Sequence, residues 1–373
     1  MRIVINAILF RQDRVSDEKS FIRNVFYRLA EENPLSEFIF IFDKPYDKFI
    51  DLPNVTSIVL TYNSGSAFAL RYWYNFKLTR AVRSLKADVL VQLFGMCSLS
   101  TKVPQVLFLN ELDFIHRPQS LLKQYLRFRR KYTYKFVQKA DKIITTCHAV
   151  KDDALSRYTI DEKNVSVAYA WADVSFEPII DWQERQEVKN VYAEGKEYFW
   201  FSCTSNTEMN LMSLLKAFSG FKKWQKSNMK LLITGNISDL DIIEKLKTYK
   251  FREDVLLLGN VKDAELVKIV AAAYTAVYMP ASESYAISVI QAMQSEVTVL
   301  AGRNSCLEEI GGDACLFVEP NEHETFAQRM ILLYKDEDLR KILIMKGKER
   351  SHLFTEKATL DIIQSAVFNP VQA

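Results

Sequence analysis

Two doubly wound α/β domains, each on a parallel sheet, are what this chain predicts, and three observations carry the prediction. At 373 residues it is longer than one core usually encloses, so two domains are the default. Short apolar runs alternate with longer stretches of helical periodicity along nearly the whole length, the pattern of strand–helix–strand crossovers. A polar stretch without clear periodicity, 173–196, interrupts the alternation, which then restarts.

Taken in order, strands are expected at 2–10, 38–42, 55–60, 88–93, 105–109, 142–146 and 165–168, with helices near 19–31, 68–85, 121–139 and 150–157 between them. After the interruption, strand 197–203, helix 210–226, strand 229–234, helix 240–248, strand 255–258 and helix 263–272 lead to an apolar strand at 274–279. The tail is expected to be helical at 325–334, 337–349 and 355–366. The domains that follow are 1–178, a linker at 179–196, a second domain at 197–354 and a final helical segment at 355–373.

Composition places the chain among soluble globular proteins: 49% hydrophobic, 25% charged, mean hydropathy −0.09. No window of eighteen uninterrupted apolar residues occurs and the N-terminus enters a strand directly, so neither a membrane span nor a secretory signal is expected. Five scattered cysteines (97, 147, 203, 306, 315) suit neither a disulfide framework nor a zinc site, and point to a reducing cytoplasm. Residues 1–178 carry 26 Lys/Arg against 19 Asp/Glu and the remainder 23 against 27, so a basic first half is expected to meet an anionic surface or substrate. Ten glycines are few for a nucleotide-binding α/β protein, which uses glycine where backbone approaches phosphate. No GxGxxG after a strand, Walker loop, HExxH or GxSxG is present, which removes the main support for dehydrogenase, P-loop, zinc-protease and serine-hydrolase readings.

The informative stretch is 278–313. Its strand reaches Pro280 and a short polar loop holding Glu283; Ile287, Val289, Ile290 and Met293 then mark one helix face, and a strand follows at 297–301. A carboxylate on the loop at a strand's carboxyl end, with a helix start behind it, sits where open parallel sheets bind ligands and favours an anion. The stretch resembles the donor-site signature of family 4 glycosyltransferases (glycosyl transferases group 1). Pro280, Glu283, Tyr285, Val289, Ile290, Ala292 and Met293 fall into its register, and Ser305, Leu307, Glu309, Gly312, Asp313 and Ala314 continue the match. Both loop glycines are replaced, by Ser284 and Ala286, and the second glutamate is Gln291.

The resemblance implies the GT-B architecture: two Rossmann-like doubly wound domains facing a central cleft, with the last helix able to cross back onto the first domain. It implies that Glu283 fixes the donor sugar, that Gln291 touches the ribose, and that backbone N–H groups at Ser284, Tyr285, Ala286 and Ile287 face the phosphates. The plainer alternatives are that Glu283 caps a helix beginning near Tyr285 and that Gln291 is a solvated helix-face amide. Residues 203–218 resemble a second family loop, in which Glu208 and Met209 stand where Arg and Lys hold the diphosphate. Glu208 then opposes a diphosphate, or simply opens a helix. Arg303 is a substitute cation. In 105–117 the family's His-Asp-Leu is Asn110, Glu111 and Leu112; His116, six residues beyond the lost histidine, enters the cleft or lies on the surface. The charged loop 11–20 replaces a glycine-rich one. Asp239 and Asp241 are read as helix-opening acids and not as metal ligands.

Residues 121–139 hold seven Lys/Arg and no acid among five aromatics, and 71–86 repeats the style. Such a helix suits an anionic membrane surface or nucleic acid, or is a solvated face over inward aromatics. The expected function is retaining transfer of a sugar from a nucleotide donor to a glycan or lipid-linked oligosaccharide in cell-surface polysaccharide synthesis. The alternative is an inert relative that binds a glycan or a partner transferase. No cofactor, metal or nucleic acid is expected, and the location is the cytoplasm, with peripheral contact at the inner membrane face through 121–139.

Overall fold

The computed structural model describes residues 1–8, 10, 17–46, 49–62, 66–110, 112–116, 123–204, 207–224, 226–281 and 284–370. The chain divides into two compact units, Met1–Ala170 with Glu356–Ala373, and Trp171–Thr355.

The first unit is built on seven parallel strands: β1 (Arg2–Asn6), β2 (Glu37–Phe42), β3 (Val55–Val59), β4 (Val89–Gln92), β5 (Gln105–Phe108), β6 (Lys142–Thr145) and β7 (Val165–Val167). Their spatial order is β3-β2-β1-β4-β5-β6-β7. The crossovers carry α1 (Asp17–Glu32), α2 (Ala67–Tyr72), α3 (Thr79–Ser84), α4 (Asp113–His116), α5 (Lys123–Lys139) and α6 (His148–Arg157). Helices over a parallel sheet bury the central strands on both faces, which is why these strands read as continuous apolar runs. Their polar exceptions answer one another. Asn6 Nδ2 donates to Gln92 Oε1 at 2.8 Å and Gln92 Nε2 to Gln105 Oε1 at 2.9 Å, a buried amide row across β1, β4 and β5.

The second unit repeats the plan with six parallel strands. In chain order it runs α7 (Trp182–Ala193), β8 (Tyr198–Ser202), α8 (Leu211–Trp224), β9 (Lys230–Thr234), α9 (Leu240–Lys247), β10 (Val255–Gly259) and α10 (Asp263–Ala272). It continues with β11 (Thr275–Tyr278), α11 (Ile287–Gln294), β12 (Thr298–Gly302), α12 (Ser305–Gly311), β13 (Cys315–Val318), α13 (His323–Lys335) and α14 (Glu337–Ser351). The sheet order is β10-β9-β8-β11-β12-β13. Its core is aromatic: Phe199 meets Phe221 edge-on at 5.3 Å, under Phe218 and Phe201. The last helix, α15 (Glu356–Phe368), belongs to the first unit, where Thr359 Oγ1 donates to the Tyr169 carbonyl at 2.6 Å and Arg28 pairs with Glu356 at 2.8 Å.

Three local expectations differ from what is observed. The polar stretch 173–196 holds α7, capped by Asp181 and burying Val188, Lys189 and Ala193; Lys189 reaches Glu197 at 2.5 Å, so a lysine occupies a core position and hides the helical period. The helix expected at 68–85 is broken by a π-turn at Trp73–Leu78. The short strand β13 was not anticipated, because its four residues, CLFV, are too few to show a period. Among the described residues, no helix is long and apolar enough to cross a membrane.

Candidate functional site

Both sheets grow one way from their first strand and then the other, reversing between β1 and β4 in the first unit and between β8 and β11 in the second. Loops diverge at such a reversal and leave a crevice outside the strands' carboxyl ends, where ligands bind. In the second unit, those loops are 203–210 and 279–286, which both carry motif residues.

The loop after β11 ends in a left-handed residue. Ala286 has φ 52° and ψ 28°, is fully buried, and serves as the N-cap of α11 although its methyl offers no acceptor. An L-residue here costs about 1–2 kcal/mol, which glycine avoids. Ala286 therefore holds a conformation that glycine adopts without that cost. Ser284, Tyr285 and Ile287 are buried beside Ala286, and Gln291 lies half-buried one turn into α11, which begins at Ile287, two residues later than expected. Glu283 lies outside the described residues, as does residue 282.

The loop after β8 is tied down by its own side chains. Thr207 Oγ1 donates to the Ser202 carbonyl at 2.6 Å and accepts from Thr204 N at 2.8 Å. Asn210 Nδ2 donates to the Met279 carbonyl at 2.9 Å and so fastens the start of α8 to the end of β11. Glu208 is buried, and its carboxylate accepts from Ser238 Oγ at 2.6 Å, from Asp239 N at 2.6 Å and from Ser238 N. An anion at the opening of α9 is held by N–H groups and the helix dipole together. Glu208 is therefore committed to the neighbouring loop, whereas Met209 is 69% exposed. Burial, reinforced by the Glu208 charge, pushes the Cys203 thiol up to about 12, so it stays protonated at neutral pH.

Beneath this loop Gly235 has φ +83°, and a Cβ there would lie 2.0 Å from the Cys203 carbonyl oxygen. Its N–H donates to the Gly259 carbonyl at 2.7 Å. With Asn236 and Ile237 it lines a pocket of about 770 Å³ between α9 and β10, closed by Leu246, Arg252 and Leu257. Sequence reasoning passed over Gly235 and the clamp made by Asn210. Glycine scarcity was the signal for the first; a backbone acceptor leaves none for the second.

Arg303, read as a substitute cation, is half exposed and carries two surface ion pairs. It pairs with Glu308, and with Glu319 at 3.1 Å, while its guanidinium sits 6.0 Å from the Phe317 ring centre. Asp239 caps α9 by accepting from Asp241 N at 2.8 Å, and Asp241 pairs with Lys245. Among the described residues no three His, Cys, Asp or Glu side chains converge as a metal site.

The remaining candidates belong to the first unit. Asn110 is buried just past the end of β5, and Glu111 and residues 11–16 lie outside the described residues. His116 closes the short helix α4, half exposed, with Nε2 2.7 Å from Asp153 Oδ2; Arg157 Nε meets the other oxygen at 2.6 Å. In α5, Phe128 and Phe136 are buried and Tyr125 and Tyr132 half-buried, so most of its aromatics face the sheet; Leu121 and Leu122 are not among the described residues.

Comparison with known proteins agrees with this frame. The family model "Glycosyl transferases group 1" matches residues 183–350 and "Glycosyltransferase Family 4" matches residues 37–176. O-antigen chain mannosyltransferase RfbU of Salmonella typhimurium is 24% identical over 297 residues, 76% of each chain. Among solved structures, HepE of Anabaena in complex with UDP-glucose superposes with a TM-score of 0.77 at 11% identity, covering 99% of this chain and 100% of that one. WaaG, a glycosyltransferase involved in lipopolysaccharide biosynthesis, gives 0.76 at 12% identity, with 98% and 99% covered.

Proposed function

Since this chain belongs to the glycosyltransferases of group 1 and family 4, and is an enzyme of that kind, we propose that it moves a hexose, with retention, from a nucleotide sugar onto a glycan or lipid-linked acceptor in surface-polysaccharide synthesis. Mannose is the first sugar to test, because the relative RfbU is named a mannosyltransferase of the O-antigen chain. The observation that carries the reading is the turn at Ala286: a buried left-handed residue opening α11 at the sheet's reversal, kept in shape although the glycine is gone.

In this reading Glu283 holds the sugar hydroxyls and Gln291 the ribose. The N–H groups of Ser284–Ile287 and the start of α11 stabilise charge that develops on the leaving diphosphate. No metal takes part, so chelation leaves turnover unchanged. His116, oriented by Asp153, is the candidate of the first unit for the acceptor side. Work on a lipid-linked acceptor places the protein at the inner membrane face, with the basic field of the first unit turned toward it.

Calorimetric titration with the diphosphates of uridine, guanosine and adenosine tests the reading. Saturable binding to one of them, lost in Glu283→Ala, supports it; no binding to any member overturns it. Turnover of the matching hexose donor with the anomer inverted would overturn the retaining part alone.

A further inference from the structure

The first unit carries an exposed aromatic stripe on the segment that the sequence offered only as a second case beside 121–139. Residues 67–87 contain Arg71, Lys77, Arg80, Arg83 and Lys86 and no acid. On this segment Phe68 is 80%, Tyr72 48% and Phe76 63% exposed. The stripe follows from the π-turn. Its wider loop lets three consecutive side chains, Trp73, Tyr74 and Asn75, turn inward together. Asn75 Nδ2 donates to the Arg71 carbonyl at 3.1 Å, its Oδ1 accepts from Leu99 N at 2.7 Å, and Trp73 Nε1 donates to the Leu60 carbonyl at 3.1 Å. Tyr72 and Phe76 are left outward and stacked, with ring centres 5.2 Å apart, in line with Phe68 one turn earlier. In α5, by contrast, the aromatics are mostly turned in, and Lys123, Arg127, Arg130, Lys131 and Lys135 face solvent. The two segments touch where Arg71 donates to Tyr132 Oη at 3.0 Å, so their cations form one field.

We propose that the outer face of 67–86 seats this unit on an anionic lipid bilayer, with Phe68, Tyr72 and Phe76 entering the headgroup region and Arg71, Lys77 and Arg80 meeting lipid phosphates. Rings of this size gain nothing from standing in water, and a bilayer interface takes aromatic bodies and cationic flanks together. A second copy of the chain is the poorer occupant, because a twofold contact would set the basic field against itself. The inference rests on the membrane part of the proposed function and moves the contact from 121–139 to 67–86. Vesicle binding is measured without donor or acceptor, so its failure leaves the transfer reading standing.

The test is co-sedimentation of the full chain with vesicles of phosphatidylethanolamine and phosphatidylglycerol, against vesicles of phosphatidylcholine alone. Binding to the anionic vesicles, weakened by salt, is expected. Replacing Phe68, Tyr72 and Phe76 together by Ser lowers partitioning about tenfold or more, with an unchanged thermal melt because the rings are exposed. Phe68→Ser alone, at the most exposed ring, gives a smaller loss in the same direction. The set Arg71→Gln, Lys77→Gln and Arg80→Gln weakens binding and flattens its salt dependence. Equal binding to both vesicle types, an unaffected triple aromatic variant, a larger loss from Arg127→Gln with Arg130→Gln and Lys131→Gln, or preference for a single-stranded oligonucleotide over vesicles would each overturn it.

Discussion

The loops after β8 and β11 sit side by side at the same sheet reversal, and both depart from their family's residues, with opposite results. After β11 the departure touches shape. Ala286 replaces glycine and still adopts the left-handed turn, because buried neighbours and the start of α11 hold it there. After β8 the departure touches charge. Glu208 stands where the resemblance implies a cation, and its carboxylate anchors residues 238 and 239. A backbone conformation can survive without its preferred residue at a cost of about 1–2 kcal/mol. A carboxylate attracts donors that a cation would repel, and here those are the N–H groups of Ser238 and Asp239.

Changes in the two loops should separate these cases. The greatest effect is expected from Gly235→Ala, which drives a methyl into the Cys203 carbonyl at the base of the β8 loop and forces β9 away from β8. A loss of about 3 kcal/mol or more, read by urea unfolding, is expected. Glu208→Ala should cost about 2 kcal/mol by stranding the N–H groups of Ser238 and Asp239, with Glu208→Gln intermediate because an amide oxygen still accepts. Unchanged stability in Glu208→Ala would show that the anchor contributes nothing. In the other loop, Ala286→Gly should raise stability by about 0.5–1 kcal/mol, since relief of the left-handed strain exceeds the added freedom of the unfolded chain. The smallest effect on stability is expected at exposed Met209. Met209→Lys leaves the melt unchanged and tightens nucleoside-diphosphate binding by about fivefold, roughly 1 kcal/mol at the protein surface. Restoring the cation at 209 alone is the cleaner experiment, because an arginine at 208 would also remove the anchor.

Much of this was legible beforehand because it depends on local pattern. Buried parallel strands must be apolar throughout, so β1, β2, β4 and β8 stood out as runs, and the strand–loop–helix–strand unit around Pro280 stood out by register. The helix α7 did not, because Lys189 buries its stem and pairs at its tip with Glu197, and a lysine in a sequence reads as solvated. The aromatics of 121–139 and 71–86 read alike in the sequence, and only the fold separates them. Phe128 and Phe136 meet the sheet, while Tyr72 and Phe76 do not. The side-chain period names a face; it does not say what stands opposite.

The sequence alone determined two parallel-sheet α/β units, through periodicity and spacing that act along the chain, and the motif register at Pro280–Met293 that resembles the family. Tertiary structure alone decided what the altered residues do. Glu208 meets Ser238 thirty residues away, Asn210 meets Met279, and Arg303 pairs with Glu308 and Glu319. Hydrogen bonds and ion pairs act over a few ångströms, and only folding sets which distant partners come within that reach.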